Sequence, residues 1–346
     1  MNKRIPVTIP DPATRLSSLI ASQWMSQAIY AAAQLRIPDL LADSAMSSEE
    51  LAGATQTHAP SLHRLLRALT TLDICEELGD GVFALTPMGA LLRGDSAESL
   101  RAWALYSGGS QWPVWGHLID SIRTGRSARH LITGNKAFEH AERDPEVAAI
   151  FNQAMVELTR LVATRVVYAY DFSTLQRIVD VGGGSGQLLA AILRVHPAVR
   201  GVLFDLPHAI EAGRRLIAEA GLAQRCEIVA GDFFEAVPGP ADAYLLKSVL
   251  HDWDDEQSLA ILRNCYRAMT AQGRLLLVER VVPLRLGVSA EHQTLARIDL
   301  NMLIGPGGRE RTEAEFRALL TAAGFCLHRV VEVELSFKLI EATRVQ

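Results

Sequence analysis

RIVDVGGGSGQLLAAILRVHP, residues 177–197, decides how this chain is read. It begins as a β-branched apolar run, passes through a glycine-rich turn and continues as QLLAAILRV, whose apolar residues recur at helical spacing. Strand, tight turn and helix in that order open a β-α-β unit. The rhythm continues toward the C-terminus through GVLFDLP, HAIEAGRRLIAEAG, CEIVAGDFF, AYLLKSVL, EQSLAILRNCYRAMT and GRLLLVERVV. That alternation predicts an α/β domain, a parallel sheet with helices on both faces. Toward the N-terminus the pattern differs: LSSLIASQWMSQAIYAAAQL (16–35) and EVAAIFNQAMVELTRLVATRVVYAY (146–170) read as helices throughout. The change falls near residue 172, so the expected domains are 1–171, helical, and 172–346, α/β.

Composition sets outer bounds. With 346 residues, 49% of them hydrophobic, the chain can bury two ordinary cores. No apolar run approaches the roughly 18 to 20 residues of a bilayer span. The opening MNKRIPVTIPDP lacks the apolar centre of a secretion signal, so a cytoplasmic protein without a membrane partner is expected. Cys75, Cys226, Cys265 and Cys326 are scattered without C-x-x-C spacing and read as reduced thiols. A net charge of −5 and a pI near 6.1 give no reason to expect nucleic acid or an anionic membrane. Residues 46–92 have the order of a winged helix-turn-helix, with a hairpin through Gly79-Asp80-Gly81. Yet residues 1–100 carry seven Lys and Arg against eleven Asp and Glu, the wrong sign for neutralising phosphates. Packing or dimerisation is the expected use of that segment.

The glycine turn carries chemistry. Glycines let the backbone approach a ligand, and the helix that follows leaves N–H groups free at its positive end. Many nucleotide cofactors could use such a turn, and a purely structural turn is the other reading. A dinucleotide loop, G-x-G-x-x-G, would need glycine at 187, where Gln187 stands. The pattern present is Asp180-x-Gly182-x-Gly184-x-Gly186, which resembles the first motif of S-adenosylmethionine-dependent methyltransferases. The next strand ends on Asp205, about twenty residues on, where a carboxylate can accept both ribose hydroxyl protons. The third ends in Gly231-Asp232-Phe233-Phe234, a carboxylate and aromatics suited to an adenine amino group and its face.

Taken together, VDVGGGSG, FDLP, GDFF, LLKSVLHDWDD, LLLVERVVP and GGRERTEAEF resemble the small-molecule O-methyltransferase family, which includes plant caffeate-type and hydroxyindole enzymes and bacterial natural-product tailoring enzymes. The likeness spans nearly the whole chain. It implies a Rossmann-like C-terminal domain binding S-adenosylmethionine, with a mostly parallel seven-stranded sheet and a C-terminal antiparallel hairpin. It also implies an N-terminal α-helical, winged-helix-containing region that forms an intertwined homodimer. By resemblance, Asp180, Gly182, Gly184, Asp205, Leu206, Asp232, Phe233 and Lys247 hold the cofactor. Gly182 lies against its methionine part, Asp205 on the ribose, and Asp232 and Phe233 on the adenine.

In this setting the strand-tip histidine of LLKSVLHDWDDEQ (245–257) gains a role. Ligands bind beyond the carboxyl ends of such strands, and the fourth strand lies beside the first across the switch point. His251 is therefore expected to face the transferred methyl group and to take a proton from a substrate hydroxyl. Glu279 and Glu310 fall at the family's positions for acids that flank and orient this histidine. Asp252 is read as a scaffold or helix-start residue pointing elsewhere. The chain departs from the plant enzymes at LIGPGGRE, where Ile304 and Gly305 replace polar residues that often touch the acceptor. The acceptor pocket is expected from Phe151, Asn152, Met155 and Met302, with Trp112 and Trp115, and Trp24 or Met25 entering from a second subunit. An apolar, aromatic acceptor follows, methylated on oxygen without a metal, since no metal-ligand spacing is visible. The rival readings are N- or C-methylation or non-methylating chemistry on the same fold, and a winged-helix transcriptional regulator.

Overall fold

Five apolar segments stack side by side as a parallel sheet, the central ones buried on both faces. The computed structural model describes residues 11–134 and 144–345. Residues 1–10, most of the segment read for a secretion signal, lie outside them. The strands are β1 (Arg177–Val181), β2 (Arg200–Asp205), β3 (Cys226–Ala230), β4 (Ala241–Lys247), β5 (Met269–Arg280), β6 (Phe325–Glu332) and β7 (Phe337–Arg344). Their order across the sheet is β3-β2-β1-β4-β5-β7-β6. Strands β1 to β5 pair in parallel, and β7 runs antiparallel to both β5 and β6. The parallel sheet and its antiparallel hairpin are as the sequence led one to expect.

The order reverses between β1 and β4, so their carboxyl ends open a crevice at the switch point. Helices α1 (Pro145–Ala169), α2 (Gln187–Val195) and α3 (Pro207–Glu219) cover one face, α1 and α2 through Val162, Val166, Leu189 and Ile192. Helices α4 (Asp255–Ala268) and α6 (Glu313–Ala322) cover the other with Ile261, Leu262, Phe316 and Leu320, and α5 (Ala290–Ile304) lies between them in sequence. Capping boxes fix where α4 and α6 start: Asp254 with Gln257, and Thr312 with Glu315.

The chain divides into two compact units at Ser110 and Gln111. The change of sequence character near residue 172 instead marks where the strands begin, inside the second unit. The physical reason is that Val162, Ala163, Val166 and Val167 of α1 are core residues of the sheet domain. In the first unit, helices Ser48–Thr55 and Ala59–Thr70 and the hairpin Cys75–Gly79/Val82–Leu85 pack around Leu51, Leu62, Leu66, Leu69 and Phe83. This is the helix, turn, helix and hairpin order expected for 46–92. Helix Pro12–Ala21 buries none of its residues, and Leu16, Leu19 and Ile20 are 58%, 56% and 68% exposed. No described helix is long and apolar enough to cross a membrane.

Candidate active site

The glycine loop leaves β1 with Gly182, Gly184 and Gly186 at φ of 68°, 54° and 74°, a region that L side chains avoid. A Cβ on Gly182 would stand 3.0 Å from Val249 Cγ2 and 3.5 Å from Phe233 Cε1, so the first, third and fourth strand ends converge there. At Gly184 a Cβ would meet only Asp205 Oδ2, at 4.0 Å, and otherwise open space. The loop is thus walled by Val249 and Phe233 and open above Gly184, a cradle for a ligand that touches backbone. Asp205 closes its side: Oδ2 accepts from Gly184 N at 2.7 Å and Oδ1 from Leu206 N at 2.7 Å. Asp180 lies under the loop, 2% exposed, where burial and then the nearby Asp205 charge raise its pKa to about 7. Desolvation lowers the pKa of half-buried Lys247 to about 8, and its Nζ donates to Thr159 Oγ1 of α1 at 3.1 Å.

At the end of β3, Asp232 Oδ1 accepts from Phe234 N at 2.8 Å. Phe233, Phe234 and Trp253 meet edge-on, with centroids 4.8 to 6.0 Å apart. Asn264 of α4 holds this turn by donating to the carbonyls of Phe233 and Phe234, at 2.7 and 3.0 Å.

His251 sits in a single 3₁₀ turn, Leu250–Asp252, just beyond β4, and is 7% exposed. Its Nδ1 stands 2.9 Å from Glu310 Oε1 and 3.9 Å from Glu279 Oε2. An ionised carboxylate can only accept, which puts the hydrogen on Nδ1 and leaves Nε2 to exchange protons. Glu279 ends β5 and is fixed by accepting from Val249 N and Leu250 N at 3.0 and 2.9 Å. Glu310 is held through its backbone N–H, which donates to Asp299 Oδ1 of α5 at 2.9 Å. Glu279 Oε2 and Glu310 Oε2 are buried without a hydrogen-bond partner among the described residues. One donor atom from each of His251, Glu279 and Glu310 lies within 4.8 Å of the other two, a cluster that no sequence spacing signalled.

Asp252 corrects the sequence reading. The tight 3₁₀ turn swings its carboxylate back, so that Oδ1 lies 3.6 Å from His251 Nε2 rather than pointing away. Burial raises its pKa to about 6 even though the histidine opposes the rise. For His251 itself, burial pulls the pKa down, but Asp252, Glu310 and Glu279 together outweigh it and raise it from 6.5 to about 9.

Sequence reasoning passed over two further residues. Arg311 is 1% exposed and reaches the carbonyls of Leu250 and Trp253 on either side of the histidine. Gly308 lies so close that a Cβ would come within 2.0 Å of His251 O. Both lie within the quoted GGRERTEAEF, but their contacts with the His251 turn appear only in the pairing of distant segments.

The expected pocket residues divide. Phe151, Met155 and Thr159 recur every four residues and share one face of α1, the face that meets Lys247. Asn152 is exposed, one position round the helix. Gln111 Nε2 donates to Asn301 Oδ1 at 2.8 Å, a bond made by the chain neighbours of Trp112 and Met302. Ile304 is wholly buried with Val114 and Ala128, and Trp115 packs on that cluster. Trp24 and Met25 are exposed in the first unit.

A family model described as an O-methyltransferase domain matches residues 115–326, and one described as an O-methyltransferase dimerisation domain matches 17–95. Phenazine O-methyltransferase of Lysobacter antibioticus is 42% identical over 94% of this chain and 95% of its own length. The crystal structure of LaPhzM matches with a TM-score of 0.92 at 41% identity, over 97% of this chain and 100% of that one. An O-methyltransferase from neocarzinostatin biosynthesis, solved with S-adenosylmethionine and 2-hydroxy-5-methyl naphthoic acid, matches with a TM-score of 0.81 at 34% identity, over 98% and 100%. A relative acting on nitrogen, the 8-amino-8-demethylriboflavin N,N-dimethyltransferase of Streptomyces davaonensis, is 35% identical over 86% of this chain and 85% of its own. On motifs, fold and relatives alike, the chain belongs to the S-adenosylmethionine-dependent O-methyltransferase family.

Proposed function

We propose that this enzyme transfers the methyl group of S-adenosylmethionine, in line and without a metal, to a phenolic hydroxyl of a small aromatic natural product, with His251 as general base. The observation that carries the reading is the histidine itself, at a sheet's carboxyl edge, its Nδ1 2.9 Å from a buried carboxylate, which leaves Nε2, 3.6 Å from Asp252 Oδ1, as the proton-exchanging nitrogen. A hydroxyl needs such an acceptor, because it must lose its proton to become a good nucleophile. A neutral amine attacks with its own lone pair, and transfer to nitrogen would leave this apparatus without a task.

The bound donor supplies an electrophilic methyl on a sulfonium cation. Around it, Gly182 and Gly184 give backbone access, Asp180 and Lys247 support the loop, Asp205 with Leu206 takes the ribose, and Asp232 with Phe233 takes the adenine. At neutral pH His251 in the free enzyme holds its proton, since its pKa is raised to about 9. A cation placed beside it disfavours the imidazolium and lowers that value, while favouring the phenolate. Glu279 and Glu310 then stabilise the imidazolium formed as the phenol, ordinarily near pKa 10, gives up its proton.

Phe151, Asn152, Met155, Trp112 and Met302 form the acceptor pocket, with Trp24 or Met25 of a second copy completing it. Residues 111–346 carry donor binding, catalysis and most of the acceptor pocket, and 1–110 serve assembly. The bare apolar face of helix Pro12–Ala21 supports a homodimer, and the acidic first hundred residues favour assembly over DNA reading. A bacterial tailoring role in secondary metabolism, in the cytoplasm, fits a chain of this kind.

Incubation with S-adenosylmethionine and a panel of hydroxylated phenazines, naphthoates and benzoates tests the reading. Mass spectrometry should show one added methyl, and product NMR should place it on oxygen. Methylation of nitrogen or carbon, or donor binding without any transfer, would overturn it.

A further inference from the structure

The turn that carries His251 has a structural problem. A single 3₁₀ turn satisfies few of its own carbonyls: Trp253 N donates to Leu250 O at 3.3 Å, while Leu250 and His251 are buried, where an underpaired carbonyl is costly. One distant segment supplies the donors. Arg311 Nη1 donates to Leu250 O at 2.7 Å, and Nη2 to Trp253 O at 2.8 Å and to Ser258 Oγ at 3.2 Å. Its Nε and Nη2 also reach Asp255 Oδ1, at 3.0 and 2.8 Å. Between these contacts Arg309 N donates to His251 O at 2.9 Å, an approach that Gly308 allows by having no Cβ. The same segment pairs with the end of β5, Val281 against Arg311, with Val282 N donating to Arg311 O at 3.0 Å.

Arg311 thus joins three things that must keep their spacing: the turn bearing His251, the β5 end bearing Glu279, and Glu310 next to it in the chain. Only a planar guanidinium offers enough donors in one fixed fork to bind carbonyls on both sides of the histidine; an ammonium does not. The geometry points to Arg311, anchored by Asp255, as the positioning residue that holds His251 at its working distance from Glu279 and Glu310. This rests on the general-base reading of His251.

The groups facing His251 are Asp252 from its own turn, Glu279 from β5 and Glu310 from the 308–311 segment. Loosening the turn moves the ring away from the last two. A misplacement of about 1 Å at a reacting group can cost on the order of 10²-fold in rate, so partial loosening should cost at least about tenfold.

Arg311→Lys and, as the milder change at a half-exposed residue, Asp255→Asn are compared with wild type in kcat, KM, S-adenosylmethionine affinity by calorimetry, and pH profile. The expected result is a kcat lower by about tenfold or more in Arg311→Lys and a smaller loss in Asp255→Asn. Donor affinity should stay within about twofold, and the acid limb should move to lower pH as the carboxylates lose their hold on the imidazolium. If Arg311→Lys does not fold, Asp255→Asn decides by the same readings. A kcat within about twofold of wild type, or a loss with an unmoved pH profile that only follows the folded fraction, would overturn the proposal. His251→Ala run alongside separates the two ideas: if it abolishes turnover while Asp255→Asn and Arg311→Lys are silent, the base stands and the positioning role falls. If His251→Ala is itself silent, the base reading fails first.

Discussion

At the scale of single residues the site is an argument about one proton. His251 stands among three carboxylates, and its pKa is raised to about 9 because their attraction exceeds the cost of burying the ring. The sign follows: the neutral, basic form is lost as pH falls through that raised value, so kcat/KM should decline on an acid limb lying above 6.5. Glu310→Gln removes one of the charges that raise it. The limb in this variant should move to lower pH and the plateau should fall by roughly 10-fold or more; a pH–rate profile with an unmoved limb would contradict the assignment. Asp205 offers a second handle, since both of its oxygens are already oriented by Gly184 N and Leu206 N. With charge-assisted ribose bonds worth roughly 1.5 to 3 kcal/mol each, Asp205→Ala should weaken S-adenosylmethionine binding by at least about tenfold, read by calorimetry alongside circular dichroism. The positions of Asp205, Asp232 and His251, at or just beyond the ends of strands, were legible because each lies within its own motif. Asp252 was misjudged because its direction depends on a 3₁₀ turn that no periodicity announces.

At the scale of elements, strand ends do the assembling. The alternation of β-branched runs and amphipathic stretches was enough to place β1 to β5, since parallel strands are buried on both faces and read as continuous apolar runs. The domain boundary was not readable in this way. Helix α1 looks like its all-helical predecessors, yet Val162, Val166 and Val167 belong to the sheet's core. Nor was the clamp on the turn of His251: Arg311 and Leu250 are 61 positions apart, so local sequence carries no trace of their bond. Gly308 shows how tight that clamp is. A Cβ there would sit 2.0 Å from His251 O, and backbone must move to admit it. Gly308→Ala should lower kcat by about tenfold or more through misplacement of the base, while donor affinity by calorimetry stays within about threefold. Activity close to wild type would show the segment to be a passive neighbour.

At the scale of the whole molecule, the first unit carries an apolar surface that it does not bury within itself. Leu16, Leu19 and Ile20 are exposed on a helix with no buried residue, and Trp24 and Met25 are exposed just beyond it. Apolar side chains so arranged mark an interface with another chain. Light scattering at micromolar concentration should give twice the 37.8 kDa chain mass; the mass of one chain would contradict an obligate dimer. Everything in the account then turns on whether the histidine at the strand tip removes a proton. The direct measurement is kcat of His251→Ala at saturating S-adenosylmethionine and phenol, with donor affinity measured on the same preparation. A positioned base contributes roughly 10² to 10⁴ in rate, so kcat should fall by about 10² or more while donor affinity stays nearly unchanged. A variant that keeps kcat within about threefold of wild type, with the same pH profile, would contradict the account and leave catalysis to proximity and orientation alone.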